Sequence, residues 1–277
     1  MSSPPTTVAP VLVVVDRSSS GAAARYGAAE ALRARRPLRL VHVAPPGDSW
    51  LRTVGSDSLR RSLALAAAEV VGRVPVHSVL LRGGSLHETA REAATAAVVV
   101  LEQLRPGAHR RPTESVAAAL AAVTDTPVVV VPTNWVERHR GVVSVGLDPD
   151  VADDTAVRAA MALARLRNSV VRVVIAGTAN RADADALLER LGGDGCDLAL
   201  EVTSAAPVAA LEAASATSDL TVVGRHRPRM PDGSRLGSVA QELLARVSCP
   251  VLLTAPGHVH SSPAAAGSTT PEEEYAM

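Results

Sequence analysis

The chain has 277 residues, with 28 basic side chains against 28 acidic ones, so no global field would draw nucleic acid or an acidic membrane surface to it. Apolar residues make up 47% while aromatics are 1% with no Phe, so its cores must be Val, Leu and Ala packed on sheets and helices, an ordinary α/β composition. The length suits two domains on the usual scale of about 100–200 residues each.

The chain contains no Lys, so every fixed side-chain cation is Arg. No apolar run approaches the ~18 residues of a membrane helix, and the opening MSSPPTT lacks the positive flank of a signal peptide; a cytoplasmic chain is expected. Cys196 and Cys249 are too few and too isolated for a disulfide framework or a zinc site and read as inert thiols.

In chain order, residues 1–7 read as a disordered N-terminus. Val8 to Val15 is a continuous apolar run ending at Asp16, and a Ser-rich turn and an Ala-rich helix from about Gly21 to Arg36 follow. This is the opening βα of a parallel sheet. Leu38 to Ala44 makes a second strand closed by Pro45 and Pro46, and the segment to Ser56 reads as loop. Leu59 to Gly72 has the spacing of an amphipathic helix, Val74 to Leu81 of a strand, Ser85 to Ala96 of a helix and Ala97 to Leu101 of a strand. An Arg- and Pro-rich loop, a helix from about Glu114 to Val123 and the strand Val128 to Val131 complete the first round.

The polar stretch Asn134 to Arg140 breaks the pattern and reads as a linker over 134–140 between domains at 8–133 and 141–255. A second round then begins, and Val142 to Leu147 ends at Asp148 as the first strand ended at Asp16. Registers agree at the far end too: SVAAALAAVTDTPVVV from Ser115 matches SVAQELLARVSCPVLL from Ser238, with Pro127 and Pro250 both twelve residues after their serine. The longer connection of the first half, around Pro45 to Asp57, shortens in the second to Gly177 to Arg181. The last strands of both rounds are apolar and would be exposed edges unless covered, so they are expected to pair. The tail 256–277 collects Pro, Ser, Gly and acids and reads as disordered, with His258 and His260 solvated in it.

The stretch Thr221 to Pro250 carries the chemistry. A β-branched run ends at Gly224, a loop with Arg225, His226, Arg227, Arg229 and Arg235 follows, and a helix starts near Gly237 and Ser238. A Gly-Ser helix start reached from a buried strand offers unpaired N–H groups and a positive dipole end to an anion, and the Arg cluster favours one if its heads converge. The same residues also fit a capping box of Ser238 with Gln241.

The pattern resembles the phosphate-binding end of the universal stress protein family: glycine, two residues, glycine, nine residues, then glycine followed by serine or threonine. Gly224, Gly237 and Ser238 match it, and Arg227 stands in the place of the second glycine. The resemblance spans about residues 8 to 255. It implies an α/β fold of two tandem open parallel five-stranded sheets with helices on both faces, adenine nucleotide alpha hydrolase-like and Rossmann-like. It also implies a nucleotide across the carboxyl ends of the strands.

Carried over residue by residue, the resemblance assigns Asp148 to adenosine, the Ile175 backbone to adenine, and Val223 with Gly224 and Gly237 with Ser238 and Val239 to the phosphates, with Arg227 beside them. In the first half Asp16 and Val43 keep their places, but Leu101 and Leu104 replace the glycines and Glu114 precedes Ser115, so ATP is expected in the second half only. The resemblance implies a stress-adaptation regulator with an intrachain pseudo-dimer and a homodimer among its expected partners. A ligand-free interaction scaffold and a slow ATPase are the alternatives. An enzyme is not expected, because no nucleophile with its base, metal-ligand spacing, Walker A sequence or SGGxDS loop is present.

Overall fold

The structure, a computed structural model, describes residues 8–47, 49–103, 116–148, 154–177, 196–225 and 236–254, together with 185 and 189. The first half runs β1 (Val11–Val14), α1 (Ala22–Ala34), β2 (Leu38–Ala44), α2 (Ser49–Val70), β3 (Val76–Arg82), α3 (Ser85–Ala93), β4 (Val98–Gln103), α4 (Val116–Val123) and β5 (Val128–Pro132). The second runs β6 (Val142–Gly146), α5 (Thr155–Arg167), β7 (Val170–Ala176), β8 (Leu198–Thr203), α6 (Pro207–Ser215), β9 (Leu220–Gly224), α7 (Ser238–Leu243) and β10 (Val251–Thr254). The expected tail, the N-terminus and the segments around 104–115 and 226–235 lie outside the described residues.

Within each half all pairings are parallel, and the apolar runs of the central strands are buried on both faces, as all five residues of β5 show. One apolar cluster lies between the sheet and α1, α2 and α5; the other lies between the opposite face and α3, α4, α6 and α7. Close packing is built in at Gly27 of α1, where a Cβ would fall 2.3 Å from Val13 Cγ2 of β1.

The two five-stranded parallel sheets join edge to edge: the order β3-β2-β1-β4-β5-β10-β9-β6-β7-β8 makes one ten-stranded sheet. The last strands, expected to pair, do so antiparallel with each other, Val128 opposite Leu253 and Val130 opposite Val251. One expectation needs correction: the segment before Ser56 is not all loop, because α2 begins at Ser49. Its Gly55, poor for a helix, lets α2 lie directly on the ring of His42, whose Nε2 would be 2.0 Å from a Cβ at that position.

The joint between the halves carries more than strand pairing. Arg225, buried just beyond β9, donates from Nε to Thr254 O at 2.9 Å, from Nη1 to Ala121 O and to Thr124 O at 2.8 Å, and from Nη2 to Thr126 O at 2.9 Å. It therefore ties the second half to the carboxyl end of α4 in the first, where a cation also suits the helix dipole. Gln103, the last residue of β4, answers in the opposite sense and donates to Leu244 O at the end of α7.

On the other face, Arg167 of α5 meets Glu30 of α1 at 2.6 Å and donates to Tyr26 Oη at 3.1 Å. Arg33 holds the same carboxylate at 2.8 Å and also reaches Glu137, and Trp135 packs edge-on against Tyr26 at 5.3 Å. Burial penalises the charge on Glu30, but Arg167 and Arg33 more than offset it and hold the carboxyl below its ordinary value.

Replacing Arg225 by Met keeps the apolar stem and leaves buried carbonyls without donors, which cost about 1–3 kcal/mol each. The expected result is a destabilisation of about 3 kcal/mol or more in urea unfolding; a loss within error of zero would refute the clamp. For Glu30 the folded pKa lies below the unfolded one. Its stabilisation is therefore present above the ordinary glutamate value of about 4.5 and lost as pH falls through the depressed folded value. Glu30→Gln should flatten the acid limb of the stability–pH curve, which thermal melts across that range would detect.

Candidate functional site

In open parallel sheets, ligand crevices lie at the carboxyl ends of strands where the strand order reverses. Here the reversals fall between β1 and β4 and between β6 and β9.

In the first half the chain leaves β1 through Asp16, whose Oδ1 accepts from Ser18 N at 2.9 Å and Ser18 Oγ at 2.7 Å. It enters α1 through Gly21, whose φ of 97° is left-handed and suits glycine. The buried Glu102 of β4 points its carboxylate at this turn. Oε1 accepts from Ser20 N at 2.7 Å, and Oε2 from Gly21 N at 3.2 Å and Ala23 N at 3.5 Å. These are amides that a helix start otherwise leaves without intrahelical partners. Beside it, His42 Nδ1 donates to Val15 O at 2.6 Å beneath Gly55, and Ser58 Oγ donates to Asp16 O at 2.9 Å. The mouth of this crevice is filled by the protein's own groups.

The second crevice is different. Asp148 lies exposed beyond the end of β6, and α5 starts after Asp154, which makes no side-chain cap bond. The Asp154 carboxylate turns instead to Arg158 at 2.7 Å, and that hydrogen bond holds it below the usual range. Facing this helix start is Gly224. Gly224 pairs with Thr254 as Glu102 pairs with Val131, so the two are equivalent positions at the ends of β9 and β4. A Cβ at Gly224 would meet only Ala156 Cβ, at 4.0 Å, so packing among the described residues does not demand a glycine there.

The other expected residues divide. Ile175 is fully buried and its side chain belongs to the core under α5, and Val223 is buried in the core of the opposite face, so only their backbones are open to a ligand role. Gly237 is the N-cap of α7, Ser238 is exposed as its first residue, and Val239 packs partly against the core. Arg227 lies outside the described residues, as do His226, Arg229, Arg235, Leu104 and Glu114.

Three expectations change. The capping box does not form: Gly237 rather than Ser238 is the cap, and Gln241 Nε2 donates to Leu236 O at 2.8 Å. Arg225 does not converge with an anion-binding cluster, because its guanidinium is committed to the carbonyls of the joint. The first-half counterpart of Gly224 is Glu102 rather than Leu101, and strand register likewise sets His42, not Val43, opposite Ile175. Val15 N donates to Val41 O where Leu147 N donates to Val174 O.

Sequence reasoning missed Glu102, and the signal available was a carboxylate closing the apolar run VVVLE. Among the described residues no group of three or more His, Cys, Asp or Glu is placed to hold a metal. Both thiols are free; burial pushes Cys249 up to about 11 and raises Cys196 as well, so neither is a ready nucleophile. No helix among the described residues is long and apolar enough to cross a membrane.

Residues 175–255 match the model of the Universal stress protein family. No curated protein matches the chain. Among solved structures, a universal stress protein from Archaeoglobus fulgidus aligns over 89% of this chain and 96% of its own, at 13% identity with a TM-score of 0.70. A putative universal stress protein from Pseudomonas aeruginosa aligns over 91% and 95%, at 16% identity with a TM-score of 0.63. Another Archaeoglobus fulgidus universal stress protein, solved in complex with dAMP, aligns over 45% of this chain and 98% of its own, at 22% identity with a TM-score of 0.38. The long alignments establish the shared fold, and the family match covers residues 175–255, within the second half of the chain.

Proposed function

We propose that this chain is a universal stress protein, a regulatory, stress-adaptation protein that binds one adenine nucleotide per chain, ATP being the candidate, in the crevice of its second half. The observation that carries this reading is Gly224. It stands at the strand reversal, facing the start of α5, where the first half places a carboxylate, and packing among the described residues supplies no reason for a glycine.

In this reading Asp148 takes the ribose hydroxyls, since a carboxylate accepts two hydrogen bonds from a diol. The backbone near Ile175 meets the base. Val223, Gly224, Gly237, Ser238 and Val239 take the phosphate end together with Arg227. Binding, rather than turnover, is the activity: ligand occupancy changes the surface that partners meet. The ligand-free scaffold is the second reading, favoured by the arginine at position 227 in place of the family's glycine.

Calorimetric titration of nucleotide-stripped protein with ATP tests the proposal, alongside Gly237→Asp and Gly224→Glu. The expected result is close to one ATP per chain for the unaltered protein and loss of binding in both variants with melting temperatures maintained. Absence of heat and of retained nucleotide up to millimolar ATP would favour the scaffold.

A further inference from the structure

The carboxylate of Glu102 does more than line the first crevice. We propose that Glu102 is an intramolecular ligand, a carboxylate occupying the oxyanion seat of the first half, so that this half is held permanently in an anion-bound form. Three observations converge on it. The carboxylate spans three backbone amides, Ser20, Gly21 and Ala23, using both oxygens, as a small bound oxyanion would. The side chain issues from the strand position that is glycine in the other half. The left-handed Gly21 forms the turn at which both oxygens are bound, a conformation that L side chains rarely adopt.

The physical consequence follows from tethering. A side chain fixed on a rigid strand meets its amides at an effective concentration that free anions in solution do not match. The negative charge also sits at the positive end of α1, which it stabilises. A nucleotide phosphate approaching this crevice meets a carboxylate already bound to the donors it would need. His42, Gly55 and Ser58 fill the adjoining space. The seat selects small oxyanions, carboxylate foremost, and the chain supplies its own. This inference concerns the first half alone and stands whether or not the second half binds a nucleotide.

Chemical rescue tests it. Glu102→Ala removes the carboxylate and leaves room for acetate or formate. Thermal melts of Glu102→Ala and the unaltered protein are compared in acetate, formate and chloride at matched ionic strength. The expected result is a melting temperature lowered by several degrees in Glu102→Ala and raised again by acetate or formate but not by chloride, with no such selectivity in the unaltered protein. Equal effects of the three salts on the variant, or a variant as stable as the unaltered protein, would overturn the proposal. Should Glu102→Ala fail to fold, Glu102→Gln carries the test through amide hydrogen exchange at Ser20 and Gly21. Exchange faster by about tenfold supports the internal ligand, and unchanged exchange overturns it.

Discussion

The antiparallel pairing of β5 with β10 is the constraint on which the rest of the molecule depends. Each half ends in a strand whose residues are apolar on both faces, and such an edge cannot remain in water without inviting association. By pairing the two edges within one chain the protein buries both and creates a single sheet. The remaining edges, β3 and β8, are less apolar, and β3 exposes His77, Ser78 and Arg82. Backbone pairing along three register positions would be a narrow hinge by itself. Arg225 and Gln103 lock it from the two sides, and the Arg167–Glu30 pair does so from the helical layer. A buried ion pair adds little net stability, yet breaking it leaves an uncompensated charge, so it fixes one relative placement of α1 and α5.

Within that near-symmetric frame the same strand position holds a carboxylate in one half and a glycine in the other. Around Glu102 the filling is consistent, with a helix laid over the strand ends and an imidazole beneath it. In the first half the amides at the start of α1 are satisfied from within the chain, by a side chain of the neighbouring strand.

Much of this was legible in the sequence. Strand and helix order, the internal repeat and the pairing of the last strands follow from apolar runs and from the match between Ser115 and Ser238. What escaped depended on contacts far apart in the chain. The match runs without a gap over the last helix and strand, but the loop after Arg225 is longer by a single residue than that after Gln103. The same alignment therefore slips and sets Leu101 instead of Glu102 opposite Gly224. Arg225 sits in a run of arginines that reads as a solvated or anion-binding loop, and only the other half's carbonyls reveal its role. The start of α2 was hidden because glycine lowers helix propensity locally, and tertiary packing on His42 overrides that preference.

The antiparallel joint also gives the molecule a direction. Because the strands of the two halves run in opposite senses, their carboxyl ends emerge from opposite rims of the sheet, and with them the two crevices. The Glu102 carboxylate therefore stands at one rim and Gly224 at the other, so the two helix starts they face open in opposite directions.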